Sequence, residues 1–122
     1  MHFTDQLHRI IFLPKPPERI ISLVPSQTEL LVDLGLEEQI VGVTKFCIHP
    51  KHLRKSKRIV GGTKNYRSEV IDSLKPDLII GNKEENDREG IEKLAEKYPV
   101  WMSDIFSLED NYEMIRQVGR FT

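Results

Sequence analysis

Short, uninterrupted apolar runs recur at intervals of about twenty residues along this chain, a spacing that constrains its fold more than any other feature. They fall at residues 20–24, 40–43, 78–80 and 100–102, and a weaker pair, Ile59-Val60, fills the longest gap. Continuous rather than alternating hydrophobicity suits strands covered on both faces, as in a parallel sheet. The segments between the runs carry helical periodicity. Strand and helix in alternation predict right-handed crossovers and a mainly parallel sheet flanked by helices on both faces: an α/β fold built as a single lobe.

The helical segments have recognisable starts and stops. Ser26-Gln27-Thr28-Glu29 reads as a capping box, with Leu30, Leu31 and Leu34 inward and Gly35 as a left-handed stop. A second helix is predicted from Tyr66 to Leu74, burying Val70, Ile71 and Leu74 before Pro76 ends it. The third opens at Asn86-Asp87-Arg88-Glu89, turns Ile91, Leu94, Ala95 and Tyr98 inward, and stops at Pro99. The fourth opens at Ser107 and carries Leu108, Tyr112, Ile115 and Val118 on one stripe. Ahead of the first unit, residues 9–13 read as a short strand and Pro14-Lys15-Pro16-Pro17 as a stiff connector, which places this strand at an edge or as a flap. The organisation expected is therefore an edge strand and connector over 1–18, a βα-repeat lobe over 19–106, and a terminal helical segment over 107–122.

Composition narrows the function classes. The 122 residues suffice for one domain with its own core. Lys+Arg number 18 against 19 Asp+Glu, a balance that gives no electrostatic reason to expect nucleic acid as a partner. The basic stretch at 51–58 reads as a solvated face. Cys47 is the one cysteine, so no internal disulfide forms. Met1 to Asp5 lack a basic region followed by an apolar run, so the chain as written is expected in the cytoplasm. His2 and His8 are expected in solvent and Trp101 in the core.

Ligands of open parallel sheets bind outside the carboxyl ends of the strands. Pro25-Ser26 there presents a helix N-terminus, suited to an anionic or carbonyl group. Residues 44–50 gather Lys45, Phe46, Cys47 and His49; Gly61-Gly62 admits close backbone approach, and Thr63, Lys64, Asn65 and Tyr66 follow. Residues 82–87 are polar throughout. Such a rim grips by stacking and hydrogen bonding. Phosphate-binding, dinucleotide-binding and nucleophile-elbow motifs are absent, and no enzymatic activity is expected. A second reading makes the chain a cytosolic metal- or thiol-dependent protein using Cys47, His49 and His52.

Taken together the segments resemble the N-terminal lobe of the helical-backbone-metal-receptor superfamily, the vitamin B12 and ferric-siderophore binding proteins of ABC importers. The matching stretches are Arg19 through Glu29, Leu34-Gly35-Leu36, Ile40 through Thr44, Cys47-Ile48-His49-Pro50, Val60-Gly61-Gly62 and Leu74 through Ile79. The cobalamin-binding branch is the nearest in character. The resemblance implies a periplasmic-binding-protein-like fold and a corrinoid or ferric chelate as the transported ligand. No built-in cofactor or resident metal is implied. Contacts come from Pro25, Ser26, Phe46, Cys47, His49, Thr63, Lys64, Asn65 and Tyr66. It further implies docking on ABC-importer membrane subunits through Glu69, and a periplasmic location. Thr63-Lys64 stand where cobalamin binders often have a large aromatic. Ser107 would open a long connecting helix leading to a second lobe, so residues 107–120 are expected to self-associate or fray here.

Overall fold

The computed structural model describes residues 2–45, 57–62, 64–104 and 108–121. Five strands form one all-parallel sheet: β3 (Ile20–Ser22), β4 (Ile40–Val43), β5 (Arg58–Ile59), β6 (Leu78–Asn82) and β7 (Val100–Ser103). Their spatial order is β5-β4-β3-β6-β7. The four apolar runs and the weaker fifth each supply a strand. Between them run α1 (Pro25–Asp33), α2 (Ser68–Leu74) and α3 (Arg88–Ala95), and α4 (Leu108–Phe121) follows β7.

Alternation along the strands divides the core in two. Ile20, Ile40, Val43, Leu78, Ile80 and Trp101 face one side, where Leu31 of α1 and Met114 and Val118 of α4 cover them. Ile21, Val60, Ile79, Val100 and Met102 face the other, beneath Val70 and Ile71 of α2 and Ile91 and Leu94 of α3. Helices on both faces explain why the runs are apolar at nearly every position; the exception, Ser22, is buried and hydrogen-bonded to Val24 O. Trp101 is fully buried, as expected of a core residue.

Helix α1 begins differently from the capping-box expectation. Its N-cap is Val24, in extended conformation, and Pro25 occupies the first turn with no side-chain cap. Proline disfavours helical geometry in the residue before it, while its own fixed φ and missing N–H suit the first helical position. The helix therefore starts at Pro25. Ser26 turns to solvent, and Gln27 and Thr28 become buried. Leu31 is buried, but Leu34 is exposed. The stop is as expected: Gly35 has φ 81°, its amide donates to Val32 O, and the Leu36 amide donates to Leu31 O, the paired bonds of a Schellman motif.

The other helices need smaller adjustments. Helix α2 starts at Ser68 and buries Val70 and Ile71. In α3 the Asp87 carboxylate caps the Gly90 amide, and Ala95 is exposed. The stripe expected on α4 divides: Val118 is buried with Met114, whereas Tyr112 and Ile115 face outward.

The segment before the first unit forms a second, antiparallel sheet. β1 (His2–Thr4) pairs with β2 (Ile10–Phe12), and only the second of these strands is legible in the sequence. Phe3, Ile11 and Leu13 of this ribbon join the core beside Trp101 and Met114. His2 and His8 are exposed.

Candidate functional site

Numbered one to five in chain order, the strands of this sheet lie side by side as 3-2-1-4-5, and the order reverses between β3 and β6. Chains leaving neighbouring strands in opposite directions open a crevice at their carboxyl ends, where open α/β sheets take ligands. Three sequence segments meet there: residues 23–27 after β3, residues 82–87 after β6, and Ser103-Asp104 at the end of β7.

A buried polar network floors this crevice. Gln27 Nε2 donates to Gly81 O at 3.1 Å and also reaches Ser103 Oγ. Asn82 Nδ2 donates to the same Ser103 Oγ at 2.9 Å. Asn86 Nδ2 donates to Leu23 O at 3.2 Å, and its Oδ1 accepts the Asn82 amide at 2.7 Å. Asn82 Oδ1 in turn accepts the Glu84 and Glu85 amides. The loop after β6 is thus tied to β3, β7 and itself, a preorganised arrangement rather than a loose connection. Gly81 has no room for a side chain, since a Cβ would stand 2.8 Å from both Asn86 Oδ1 and Met102 Sδ. Asn82 and Asn86 fall within the polar stretch 82–87 already singled out, but Ser103 and Gln27 escape sequence reasoning, because Gln27 reads as an ordinary helix-surface residue until Pro25 sets the helix phase.

Of the site residues expected from the sequence, Pro25 is half-buried and Ser26 exposed in the first turn of α1, at the lip of the crevice. Their helix presents its amide end upward, and the first ladder bond is the Thr28 amide to Val24 O. Thr28 Oγ1 also donates to Ser22 Oγ, fixing α1 to the end of β3.

The loop after β5 is a tight return. The Gly62 amide donates to Asn65 O, Gly61 bridges Tyr66, and the Arg67 amide returns to Val60 O. Gly61 sits at φ 122°, and a Cβ there would meet Asn65 O at 2.2 Å, so glycine is required on both counts. The turn leaves Lys64 and Asn65 exposed at the rim. Tyr66 faces another way. Its hydroxyl accepts the Asp87 amide at 3.1 Å and its ring lies against Gly90, where a Cβ would come within 2.7 Å. Burial pushes this phenol above its ordinary range, against the hydrogen bonds from Asp87 and Asn86. Tyr66 therefore joins the two loops and lines an open groove of about 660 Å³ between α2 and α3.

Charge divides across the rim, with Lys45 and Lys64 exposed on the β4–β5 side and Glu84, Glu85 and Asp87 exposed on the β6 side. Lys83 Nζ stands 3.8 Å from Asp104 Oδ2. Glu69 is exposed in the first turn of α2. Phe46, Cys47, His49, His52 and Thr63 lie outside the described residues.

Residues 20–122 match the periplasmic binding protein family. The chain is 30% identical, over 94% of its length, to an uncharacterised ABC-transporter substrate-binding lipoprotein of Bacillus subtilis, YvrC, and spans 37% of that relative. Among solved structures, the periplasmic vitamin B12 binding protein of Vibrio cholerae superposes with a TM-score of 0.80 at 30% identity. That superposition covers 89% of this chain and 43% of the other. A possible iron-binding periplasmic solute-binding protein of Staphylococcus epidermidis gives 0.78 at 32% identity, covering 88% and 43%. The α/β sheet, its order and these matches agree: the chain is a member of the periplasmic binding protein family and corresponds to one lobe of its two-lobed members.

Proposed function

We propose that this chain is the N-terminal lobe of a solute-binding protein serving an ABC importer, and that it carries half of a site for a corrinoid or a ferric chelate. The observation that carries the reading is the crevice at the β3/β6 switch point. Its floor is preorganised, its lip is the N-terminus of α1, and its walls carry the polar rim singled out from the sequence. Its relatives include a vitamin B12 binder and a possible iron-binding protein, which supports both ligand classes. Pro25, Ser26, Lys64 and Asn65 line the near half, with Phe46, Cys47, His49 and Thr63 completing it. Tyr66 acts as a brace beneath the rim.

Binding and release without chemistry on the ligand suit relatives named as substrate-binding proteins, and no enzyme role is proposed. The metal- or thiol-dependent alternative built on Cys47, His49 and His52 finds no support among them. Nor does a cytoplasmic location, since those relatives are described as periplasmic or as a lipoprotein; we carry that location over. Glu69, exposed beside the rim, is assigned to docking on the importer's membrane subunits. Self-association through residues 107–120 belongs to the same reading, since Tyr112 and Ile115 stand exposed on α4.

Half a cleft covers half a ligand, so affinity should be modest. Calorimetric titration with cyanocobalamin and with a ferric tris-catecholate should give a Kd of roughly 10 μM to 1 mM for one of them. A chain extended through a second lobe should bind the same probe at least about tenfold more tightly. Silence from both probes in both chains would sink the proposal.

A further inference from the structure

We propose that the pocket between the loop joining β1 to β2 and helix α3 is a small-molecule site separate from the crevice, shaped for a compact apolar monocarboxylate.

The pocket has a volume of about 380 Å³. That falls within the roughly 300–1,000 Å³ of sites that take small molecules. Its apolar part is made by Ile91 of α3 and Met102 of β7, both buried, with half-buried Leu7 of the loop packed on the same cluster. Gly81 closes up behind it, since a Cβ there would stand 2.8 Å from Met102 Sδ. Asn86 also lines the pocket, and its Nδ2 donates to Leu23 O in the crevice floor. One buried side chain is therefore a wall common to both sites.

The loop is held in a single shape by Asp5. This carboxylate is fully buried and accepts the Leu7 and Arg9 amides, Arg9 Nε and the Met102 amide. His8, between Leu7 and Arg9, has φ 64°, a left-handed conformation uncommon outside glycine. The four bonds to Asp5 hold that turn, and both of its neighbours line the pocket. The wall is thus preorganised before any ligand arrives.

The polar part determines what such a ligand carries. Arg9, Lys83 and Arg88 line the same pocket. Arg88 gives Nε to Glu92 Oε1 at 3.0 Å, and its two terminal nitrogens have no partner among the described residues. Arg9 uses Nε on Asp5 and Nη2 on Val100 O, which leaves Nη1. Lys83 Nζ stands 3.8 Å from Asp104 Oδ2, an ion pair beyond hydrogen-bond distance. Each cation has one carboxylate beside it, so the pocket offers unused N–H donors more than net positive charge. A single carboxylate accepts such donors in the forked geometry that guanidinium favours. A polyanion would meet Glu92 and Asp104. Ile91, Met102 and Leu7 then cover an apolar body, which completes the class.

The test is a titration of the full chain with hydrocinnamate, followed through methyl and amide resonances. Saturable shifts are expected at the methyls of Leu7, Ile91 and Met102, with a Kd of roughly 0.1–3 mM. Hydrocinnamamide, matched in shape and uncharged, should bind at least about fivefold more weakly. Arg88 is 92% exposed, so Arg88→Gln should keep the parent's melting temperature while at least about halving that preference. Absence of saturable shifts, or shifts confined to Ser26, Lys64 and Asn65 at the crevice, would overturn the inference. Equal affinity for acid and amide, or an undiminished preference in Arg88→Gln, would do the same.

Discussion

Gly61 and Asp72 show what single residues decide. Gly61→Ala adds a Cβ 2.2 Å from Asn65 O at a φ that L-residues rarely adopt, so the rim turn must open. The expected cost is about 1–3 kcal/mol, read from a denaturant midpoint, with weakened binding of whichever probe the parent binds. Asp72 on α2 accepts from the Tyr98 hydroxyl beyond α3, and Lys97 Nζ stands 3.4 Å away. The Tyr98 bond, then the lysine, hold the Asp72 carboxyl below its ordinary range, and the same bond pushes the Tyr98 phenol up. For the depressed carboxyl, the unfolded chain binds the proton more readily, so the contribution is complete above the unfolded value. It is lost as pH falls through the folded value. For the raised phenol the contribution holds below the ordinary tyrosine value and is lost as pH climbs through the folded one. Asp72 is exposed and Tyr98 only half-buried, so the effect is small and salt-sensitive. Tyr98→Phe should flatten both the acid and the alkaline limb of a melting-temperature profile; unchanged limbs would contradict the assignment.

At the scale of elements, apolar periodicity was an accurate guide to strands and a looser one to helix phase. Every main-sheet strand draws on an apolar run, because a strand covered on both faces needs apolar side chains on both; the polar ends Ser22, Asn82 and Ser103 lie where the strands reach the crevice. Helix phase depends on one or two residues at the start. Pro25 shifts α1 so that Gln27 points down and Ser26 out, and with that shift the floor of the crevice passes from view. Strand β1 is invisible for a related reason: it is stabilised by residues far along the chain rather than by a pattern of its own. The rim itself was legible, since turn chemistry at Gly61-Gly62 and polarity at 82–87 are local properties, whereas Tyr66's commitment to Asp87 and Gly90 is tertiary. Helix α4 supplies a prediction at this scale. Met114→Ala should cost about 2–4 kcal/mol in a denaturation experiment, as a buried side chain lost from the core. Tyr112→Ser with Ile115→Ser should stay within about 0.5 kcal/mol of the parent while abolishing any concentration-dependent association through this helix.

The whole molecule is a sheet with its chemistry at one end and its closure at one side. The carboxyl ends of the strands form the crevice, and residues 2–13 run as a strap along the outer side of β7, bonded to Val100, Met102 and Asp104. The distances along the chain matter here: the strap's bonds to Met102, Asp104 and Asp110 join residues 97, 98 and 104 positions apart. Contacts of such span pay loop closure before they return anything. The strap therefore waits for nearly the whole lobe before it finds its place. Until then the outer side of β7 lacks these bonds. In pulse-labelled refolding the Met102 and Asp104 amides should gain protection after those of β3 and β6. Simultaneous protection would mean that the strap assembles with the sheet instead of closing over it. The segment that stands first in the lobe is then the last to settle.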